Sequence, residues 1–180
     1  VGYDGFILAI SFDTALRAAQ ELLPVPVVGI TQAALVAAEP RERTIGVVVF
    51  GETCLPMYRR VIQSYGVSPV GYEIVGLGSA AAYLSPQALD RDVVAACARL
   101  GQAGAGAIVI CGTVIAGMAA RLQADVQVPL FDGASALALC LDHVRLRDTA
   151  PARPSALGDT IGLSQELTDL LRGTSLDTPP

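Results

Sequence analysis

Two polar segments of this chain directly follow apolar runs, and their side chains are the first candidates for chemistry. The segments consist of Ser11, Phe12, Asp13 and Thr14 after the run GFILAI, and of Cys111, Gly112 and Thr113 after the run GAIVI. In open parallel sheets, ligands bind beyond the carboxyl ends of the strands, where helix N-termini also offer free N–H groups to anions. We therefore predict that both segments line one site for a small molecule.

Cys111 carries the most reactive side chain of these segments. It precedes a helical pattern at 114–123, and a thiol at a helix N-terminus has its thiolate favoured by the helix dipole, as a nucleophile or general base requires. An isolated cysteine after an apolar strand is also common as a small core residue, so both alternatives remain open. We expect Cys111 to be open to alkylation and Cys97 and Cys140 to be buried, whereas Cys54 could approach the site.

The turn after the apolar run TIGVVVF provides a third candidate wall of the site. This turn consists of Phe50, Gly51, Glu52 and Thr53. Because it also stands at the end of a predicted strand, its side chains are expected at the same edge of the sheet. The predicted substrate contacts are Phe12, Asp13, Thr14, Gly51, Glu52, Thr53 and Thr113.

Neither a metal nor a cofactor is predicted. His143 is the only histidine, and no carboxylates cluster with it in the sequence, so no metal-ligand set is evident. Gly76, Gly78 and Ala81 give a G-x-G-x-x-A pattern after an apolar run. The helix, second strand and acidic residue that a dinucleotide site needs do not follow it, because a long helical pattern begins instead.

Each of the two polar segments precedes one of two similar stretches of sequence. Residues 25–34 and 128–137 align without a gap, and each is an apolar run that opens with Val-Pro and leads into a helix of small residues. This similarity indicates a duplicated strand-turn-helix-strand unit, whose strand ends would face one another across a cleft. We predict that Ser11 and Gly112 face each other there.

The fold class predicted is α/β, with two pseudo-symmetric lobes of mostly parallel sheet flanked by helices. Strands are predicted near 6–10, 25–30, 45–50, 70–75, 107–111 and 128–131, and helices near 14–23, 31–39, 53–65, 86–101, 114–123, 133–144 and 164–171. Residues 1–145 would form the pseudo-duplicated domain, and residues 146–180 a C-terminal arm with a docking helix. Because Val1 leads into a buried strand within a few residues, we expect an opening strand unit before it.

The composition argues against two classes of partner. The net charge is −5 with 12 Lys and Arg, which provides no basic stripe for a nucleic acid. No apolar run approaches the roughly 20 residues that span a bilayer, so no membrane partner is expected. The four cysteines show neither paired spacing nor a secretory signal, which favours a reducing cytoplasm.

The chain resembles the Asp/Glu/hydantoin racemase superfamily, and within it most the hydantoin racemases. The resemblance rests on the order and spacing of DGFILAISFDTAL, PVVGITQAAL, TIGVVVFGETCLPMYRRVI, AGAIVICGTVIAGMA, VPLFDGASALAL and GLSQELTDLL. It implies proton exchange at a carbon next to a carbonyl, without a cofactor, usually by one cysteine from each half on opposite faces of the substrate. Backbone N–H groups would stabilise the enolate-like oxygen.

The resemblance places the catalytic positions at Ser11, Cys111 and Gly112. Ser11 stands where the first cysteine is expected, and a hydroxyl is a far poorer base than a thiol, whose pKa is about 8.5. An ungapped alignment puts Gly112 at the second position, and a shift of one residue brings Cys111 there. The usual pair of thiols is therefore altered in this chain.

The leading hypothesis is a racemase-like isomerase of a hydantoin or amino-acid derivative, and we expect a homo-oligomer. A second hypothesis is an enzyme similar to arylmalonate decarboxylases, in which Cys111 alone would protonate an enediolate. A third is a silent protein that binds a small molecule on the same fold. The direction of the Cys111 sulfur, into the cleft or into the core, would separate them.

Overall fold

Short parallel strands form the frame of the fold. The computed structural model of the chain describes residues 3–39, 44–77 and 85–146. The strands in these ranges are β1 (Phe6–Leu8), β2 (Val27–Gly29), β3 (Ile45–Phe50), β4 (Gly71–Val75), β5 (Ala107–Ile110) and β6 (Leu130–Phe131). β1 pairs with β2, and the others form a sheet in the order β4-β3-β5-β6. Each pairing is parallel, so the predicted α/β class is confirmed.

Helices connect successive strands, close to where they are predicted. They are α1 (Leu16–Leu22), α2 (Ile30–Ala38), α3 (Leu55–Ser64), α4 (Asp90–Gln102), α5 (Met118–Leu122) and α6 (Ser135–Leu146). The largest shifts are in α4 and α5, each of which begins four residues later than the helices predicted at 86–101 and 114–123. The arm after residue 146 and its helix at 164–171 lie outside the described residues. No helix in the described part of the chain is long and apolar enough to cross a membrane.

β3 is the centre of the hydrophobic core. Its six residues are all buried, as expected for a parallel strand that is covered by helices on both faces. On one face, Val48 and Phe50 belong to a cluster with α4 and α5. On the other face, Val47 and Val49 belong to a cluster with α2 and α3. The helices on both faces hold this sheet, and therefore the ends of β3 and β5, in place.

α2 joins the small sheet to the large one. Its residues Ala34 and Leu35 pack in the cluster against β3 and β5. Its residues Ile30 and Ala33 pack in a third cluster, together with Val28 of β2 and with α6. Because one helix contributes to both clusters, the end of β1 has a fixed position relative to the end of β5.

The two similar stretches fold into the same pair of parallel strands, but their register differs by one residue from the ungapped alignment. Phe6 pairs with Val27 in the first unit, and Ile108 pairs with Leu130 in the second. When Val27 is equated with Leu130, as the alignment of 25–34 with 128–137 requires, Phe6 corresponds to Ile108 and not to Ala107. Each residue of the first polar segment therefore has its counterpart in the second segment, and this counterpart lies one position later in the chain than predicted.

Replacing Leu100 tests the packing of α4 on the sheet. Leu100 is 2% exposed, and its methyl groups lie 3.2 and 3.3 Å from where Cβ atoms would stand on the paired residues Gly46 and Gly71. We expect Leu100→Ala to lower the free energy of unfolding by about 2–5 kcal/mol, because it removes buried methyl groups and leaves a cavity. The control Leu137→Ala, on the exposed side of α6, should change it by less than about 0.5 kcal/mol. Denaturant titration measures both, and equal losses would contradict this packing.

Candidate functional site

A cavity of about 410 Å³ opens at the carboxyl ends of β1, β3 and β5. Its lining consists of Ile10, Ser11, Phe12, Thr14, Phe50, Cys54, Tyr58, Cys111, Gly112, Thr113 and Val114. The volume lies within the range of small-molecule sites, and the position is the edge at which open parallel sheets bind ligands. The two polar segments predicted from the sequence thus meet at one cavity.

Six of the ten predicted site residues line this cavity, and four do not. The six are Ser11, Phe12, Thr14, Cys111, Gly112 and Thr113. The other four are Asp13, which is buried elsewhere, and Gly51, Glu52 and Thr53 of the predicted third wall. Gly51 turns the chain with a φ of 77°, and its N–H donates to the carbonyl of Val75 at 3.0 Å. Glu52 and Thr53 are consequently exposed to solvent.

Ser11 and Thr113 form a direct contact between the two halves of the cavity. Their hydroxyl oxygens are 3.0 Å apart, and the Thr113 N–H donates to the Ser11 hydroxyl oxygen at 3.3 Å. One of the two hydroxyl hydrogens is used in their mutual bond. The pair therefore retains one hydroxyl hydrogen for a bond to a ligand oxygen, whichever residue is the donor.

The carboxylate of Asp13 binds the start of α2, and not the cavity. Its two oxygens accept the backbone N–H groups of Thr31 at 3.1 Å and Gln32 at 2.7 Å, and the Tyr65 hydroxyl donates to it at 2.7 Å. These are orphan donors of a helix N-terminus, which a side-chain acceptor satisfies. The prediction that Asp13 contacts substrate is therefore corrected: Asp13 is a buried structural residue.

Asp13 also holds Ser11 in place through Thr31. The Thr31 hydroxyl donates to the carbonyl oxygen of Ser11 at 2.6 Å, so the segment before Asp13 is attached to the same helix turn. The approach is close, since a Cβ on Gly29 would lie 2.5 Å from one Asp13 oxygen. Burial raises the pKa of the Asp13 carboxyl above its usual value, and the hydrogen bonds from Tyr65 and the backbone partly offset this rise.

A second buried carboxylate, that of Asp132, organises the other half. It accepts the N–H groups of Gly117 and Ala119 at the start of α5, each at 2.8 Å, and that of Ala134 at 2.8 Å. Asp132 follows β6 and does not line the cavity. Its role is to hold the loop after β5, which carries Thr113, against the end of β6.

The sheet register changes the residues that occupy equivalent positions in the cavity. With Phe6 equated to Ile108, Ser11 corresponds to Thr113 and Ile10 corresponds to Gly112. The prediction that Ser11 is the counterpart of Gly112 is thus wrong by one residue. Ile10, which the sequence did not single out, lines the cavity and is 45% exposed. Neither Ile10 nor Gly112 has a side chain that can transfer a proton.

Cys111 lies at the edge of the core and not at a helix N-terminus. It is 4% exposed and belongs to the cluster between the sheet and α2 and α3. Burial raises the pKa of the Cys111 thiol far above its usual value, and the nearby Asp13 charge raises it further. α5 begins only at Met118, because Gly112 and Gly117 turn the intervening loop with positive φ. The prediction that a helix dipole favours the thiolate of Cys111 is therefore wrong.

Cys54, directly before α3, and Tyr58, within α3, form one wall of the cavity. They are four residues apart, which places both on one face of the helical segment. The Tyr58 ring contacts that of Phe12, with centroids 4.7 Å apart and planes inclined by 58°. The helical spacing from Cys54 was a signal that could have found Tyr58 in the sequence.

Comparison with known proteins agrees with the fold. The sequence profile described as Asp/Glu/hydantoin racemase matches residues 1–141. The chain belongs to the Asp/Glu/hydantoin racemase family. This confirms the family resemblance for the segments up to residue 141, and the segment GLSQELTDLL lies outside the match. No curated protein matches the chain significantly.

Solved structures of this family's fold are similar over most of the chain. Allantoin racemase from Klebsiella pneumoniae is 28% identical, with a TM-score of 0.78 over 94% of this chain and 71% of that one. Allantoin racemase from Pseudomonas fluorescens is 24% identical, with a TM-score of 0.76 over 90% and 72%. An arylmalonate decarboxylase is 15% identical, with a TM-score of 0.61 over 85% and 73%, which indicates a shared fold alone.

Thiol labelling tests the environments of the four cysteines in this racemase-family chain. We expect iodoacetamide at mildly alkaline pH to modify Cys54 first, because that thiol lines the cavity and is only partly buried, whereas the others are buried. Burial also raises the pKa of Cys97 to about 11 and so suppresses its reactive thiolate. Peptide mass spectrometry would follow the modification, with Cys54→Ser as the control. Labelling of Cys111 as fast as that of Cys54 would contradict the burial described above.

Replacement of Asp13 tests the carboxylate at the start of α2. Asp13→Ala leaves two backbone N–H groups and the Tyr65 hydroxyl without an acceptor, so we expect a loss of roughly 1–3 kcal/mol in the free energy of unfolding. Asp13→Asn retains one acceptor oxygen and should lose less. Asp142→Ala, which removes an exposed carboxylate, is the matched control. Thermal unfolding measures all three, and an unchanged Asp13→Ala protein would contradict the role.

Proposed function

We propose that the chain is a cofactor-independent racemase, which moves a proton at a carbon next to a carbonyl group of a hydantoin or amino-acid derivative. The observation that carries this proposal is the ligand-sized cavity between the two halves of a racemase-family fold, where Ser11 and Thr113 meet. The similarity to allantoin racemases supports a cyclic ureide, since allantoin is a hydantoin ring with a ureido substituent.

The pseudo-symmetry gives the physical reason for this reaction class. Racemisation removes a proton from one face of a carbon and delivers one to the other, so groups from two opposed walls must reach the same atom. β1 and β5 end on the same cavity, and each is followed by one hydroxyl of the Ser11–Thr113 pair. The free hydroxyl hydrogen of this pair would donate to the substrate carbonyl and stabilise the negative charge that develops there.

Proton transfer by this set of side chains is expected to be slow. Cys54 is the partly buried thiol of the cavity, whereas Cys111 stays protonated because burial raises its pKa. Ile10 and Gly112 hold no proton-transfer group at the equivalent positions. Because a positioned acid or base contributes about 10²–10⁴-fold, the rate should lie well below that of a site with two opposed thiols.

A silent binding protein is the second candidate, and the same lining favours it. Among the described side chains of the cavity, no carboxylate, ammonium or imidazole is present to accept or donate a proton near neutral pH. The decarboxylase alternative requires Cys111 to protonate an intermediate in the cleft. The burial of Cys111 in the core cluster weighs against it.

Location and assembly follow as further parts of the proposal. Four free cysteines support a cytoplasmic location, where thiols stay reduced. A homo-oligomer stays a prediction of this proposal. Light scattering of the purified protein would measure its oligomeric state.

Restoring thiols at the register-equivalent positions tests the proposed reaction. We expect Ile10→Cys, combined with Gly112→Cys, to raise racemisation and solvent deuterium exchange of an enantiopure hydantoin on the order of 10²-fold, because it supplies a base on each wall. Gly112 has a φ of 148°, and a Cβ there would lie 3.0 Å from Ile115 Cγ1, so Ile115→Ala, which removes that atom, is included to make space. Polarimetry and NMR measure the two rates.

The control is Ser11→Cys in place of Ile10→Cys, with the same changes at Gly112 and Ile115. A larger gain with Ser11→Cys would contradict the register equivalence of Ile10 and Gly112. If the folded Ile10 variant binds a hydantoin and exchanges no proton, the racemase proposal fails and the binding protein is supported.

A further inference from the structure

We infer that Cys54 is the proton-transfer residue of the cavity, and that it acts as a single base from the wall that leads into α3. This inference rests on the proposed function and deepens it, because it assigns the base that the register-equivalent residues Ile10 and Gly112 do not provide. It also predicts a stereochemical result, in which the substrate exchanges its hydrogen with solvent faster than it racemises.

The turn after β3 brings Cys54 to the cavity. β3 ends at Phe50, and Gly51 turns the chain with a φ of 77°. The Cys54 N–H donates to the carbonyl of Gly51 at 3.2 Å, which closes one turn of 3₁₀-helix directly before α3. Glu52 and Thr53 in this turn are exposed to solvent, whereas Cys54 lines the cavity. The turn therefore presents a thiol, and not a carboxylate, to a bound ligand.

Cys54 combines access to the cavity with a position at the start of a helix. Its side chain packs against the core cluster between the sheet and α2 and α3, and it remains partly exposed where the cavity opens. The ten-residue helix α3 begins at the next residue, and the N-terminus of a helix carries the positive end of its dipole. An accessible thiol in such a position can serve as a general base.

The other groups that could move a proton are held elsewhere. Asp13 and Asp132 accept backbone N–H groups, and neither carboxylate lines the cavity. Cys111 is 4% exposed, and burial raises the pKa of its thiol far above the usual value. Among the described residues of the lining, Cys54 is therefore the thiol that a substrate and water can both reach.

The thiol and the hydroxyl pair would divide the reaction between them. The Cys54 thiolate takes the hydrogen of the carbon next to the carbonyl as a proton, and the electron pair of the broken C–H bond passes to the carbonyl oxygen. The free hydrogen of the Ser11–Thr113 pair donates to that oxygen. The thiol then exchanges its hydrogen with water and returns a proton to the carbon, which restores the carbonyl group and the thiolate.

A single base determines which outcome is faster. A proton that returns from Cys54 reaches the face from which the first one left, so the substrate keeps its configuration and gains a hydrogen from the solvent. Inversion needs a proton on the opposite face. Ile10 and Gly112 have no group that can deliver it, so it comes from water. Solvent exchange should therefore be faster than inversion.

The ratio of these two rates tests the inference on the full chain. The probes are the two enantiomers of 5-isopropylhydantoin in deuterium oxide, with the rates measured without protein subtracted. NMR follows the loss of hydrogen at the substituted ring carbon, and chiral chromatography follows the inverted product. For the enantiomer that reacts faster, we expect the initial rate of exchange to exceed that of inversion by about threefold or more, because one group removes and returns the proton. Equal rates would indicate two opposed groups and would overturn the single base.

Replacement of the thiol tests the assignment to Cys54. Cys54→Ser changes one atom and places a residue that is favoured at a helix N-terminus, so the fold should be retained. We expect the exchange rate to fall on the order of 10²-fold, while calorimetry should find the affinity for the hydantoin nearly unchanged. Cys140→Ala, on α6 and outside the cavity, should keep the parent rate. Unchanged exchange in Cys54→Ser, or an equal loss in Cys140→Ala, would overturn the assignment.

Restored thiols provide the control for a purely structural effect. In a chain that carries Ile10→Cys, Gly112→Cys and Ile115→Ala, the added change Cys54→Ser should lower the exchange rate by less than about threefold, because the new thiols supply the bases. A loss as large as that in the parent chain would mean that Cys54 maintains the shape of the cavity, and it would overturn the catalytic role.

Two outcomes separate this inference from the proposed function. Racemisation that survives Cys54→Ser would leave the racemase proposal standing and refute the role of Cys54 alone. A parent chain that binds the hydantoin with neither exchange nor inversion would refute both.

Discussion

The buried carboxylate of Asp13 is the interaction on which the geometry of the cavity depends. A charge taken out of water is costly unless hydrogen bonds replace its solvation, and here two helix N–H groups and the Tyr65 hydroxyl do so. The helix that it binds, α2, packs in the clusters of both sheets. Through Thr31 the same turn holds the carbonyl of Ser11. One side chain therefore connects the end of β1, the start of α2 and the residue after α3.

Asp132 performs the corresponding task in the second unit, but with the order of elements reversed. Asp13 follows the first strand of its unit and binds the helix after the second strand. Asp132 follows the second strand of its unit and binds the helix after the first. Either arrangement attaches the two neighbouring strand ends to each other, and each unit does so with one carboxylate from a different position in the chain. This is why the two aspartates do not align although the strands do.

The sequence predicts the fold well because its signals are local. The run IGVVVF is apolar throughout, and β3 is buried on both faces as that pattern predicts. Register is different, because a one-residue shift between β1 and β2 leaves every local pattern unchanged and is fixed only by pairing. The direction of Asp13 was equally beyond local reasoning, since its φ of 47° turns a residue that follows a strand end toward α2. The start of α5 differs from the prediction for a similar reason, because the positive φ of Gly112 and Gly117 turns the chain before the helix begins.

The residues that build the cavity are distinct from those that would do chemistry in it. Asp13, Thr31 and Asp132 are buried and bonded to backbone, and none of them lines the cavity. Ile10 and Gly112, at the register-equivalent positions, line it, and Ile10 contacts that framework only through its backbone carbonyl, which accepts the Asp13 N–H at 3.1 Å. A change at these two positions therefore alters the proton-transfer groups while the carboxylate contacts stay intact. The fold can keep its two-sided cavity through such changes, so one scaffold can serve several chemistries. The residues that line the cavity, and not the scaffold, decide which reaction a given chain performs.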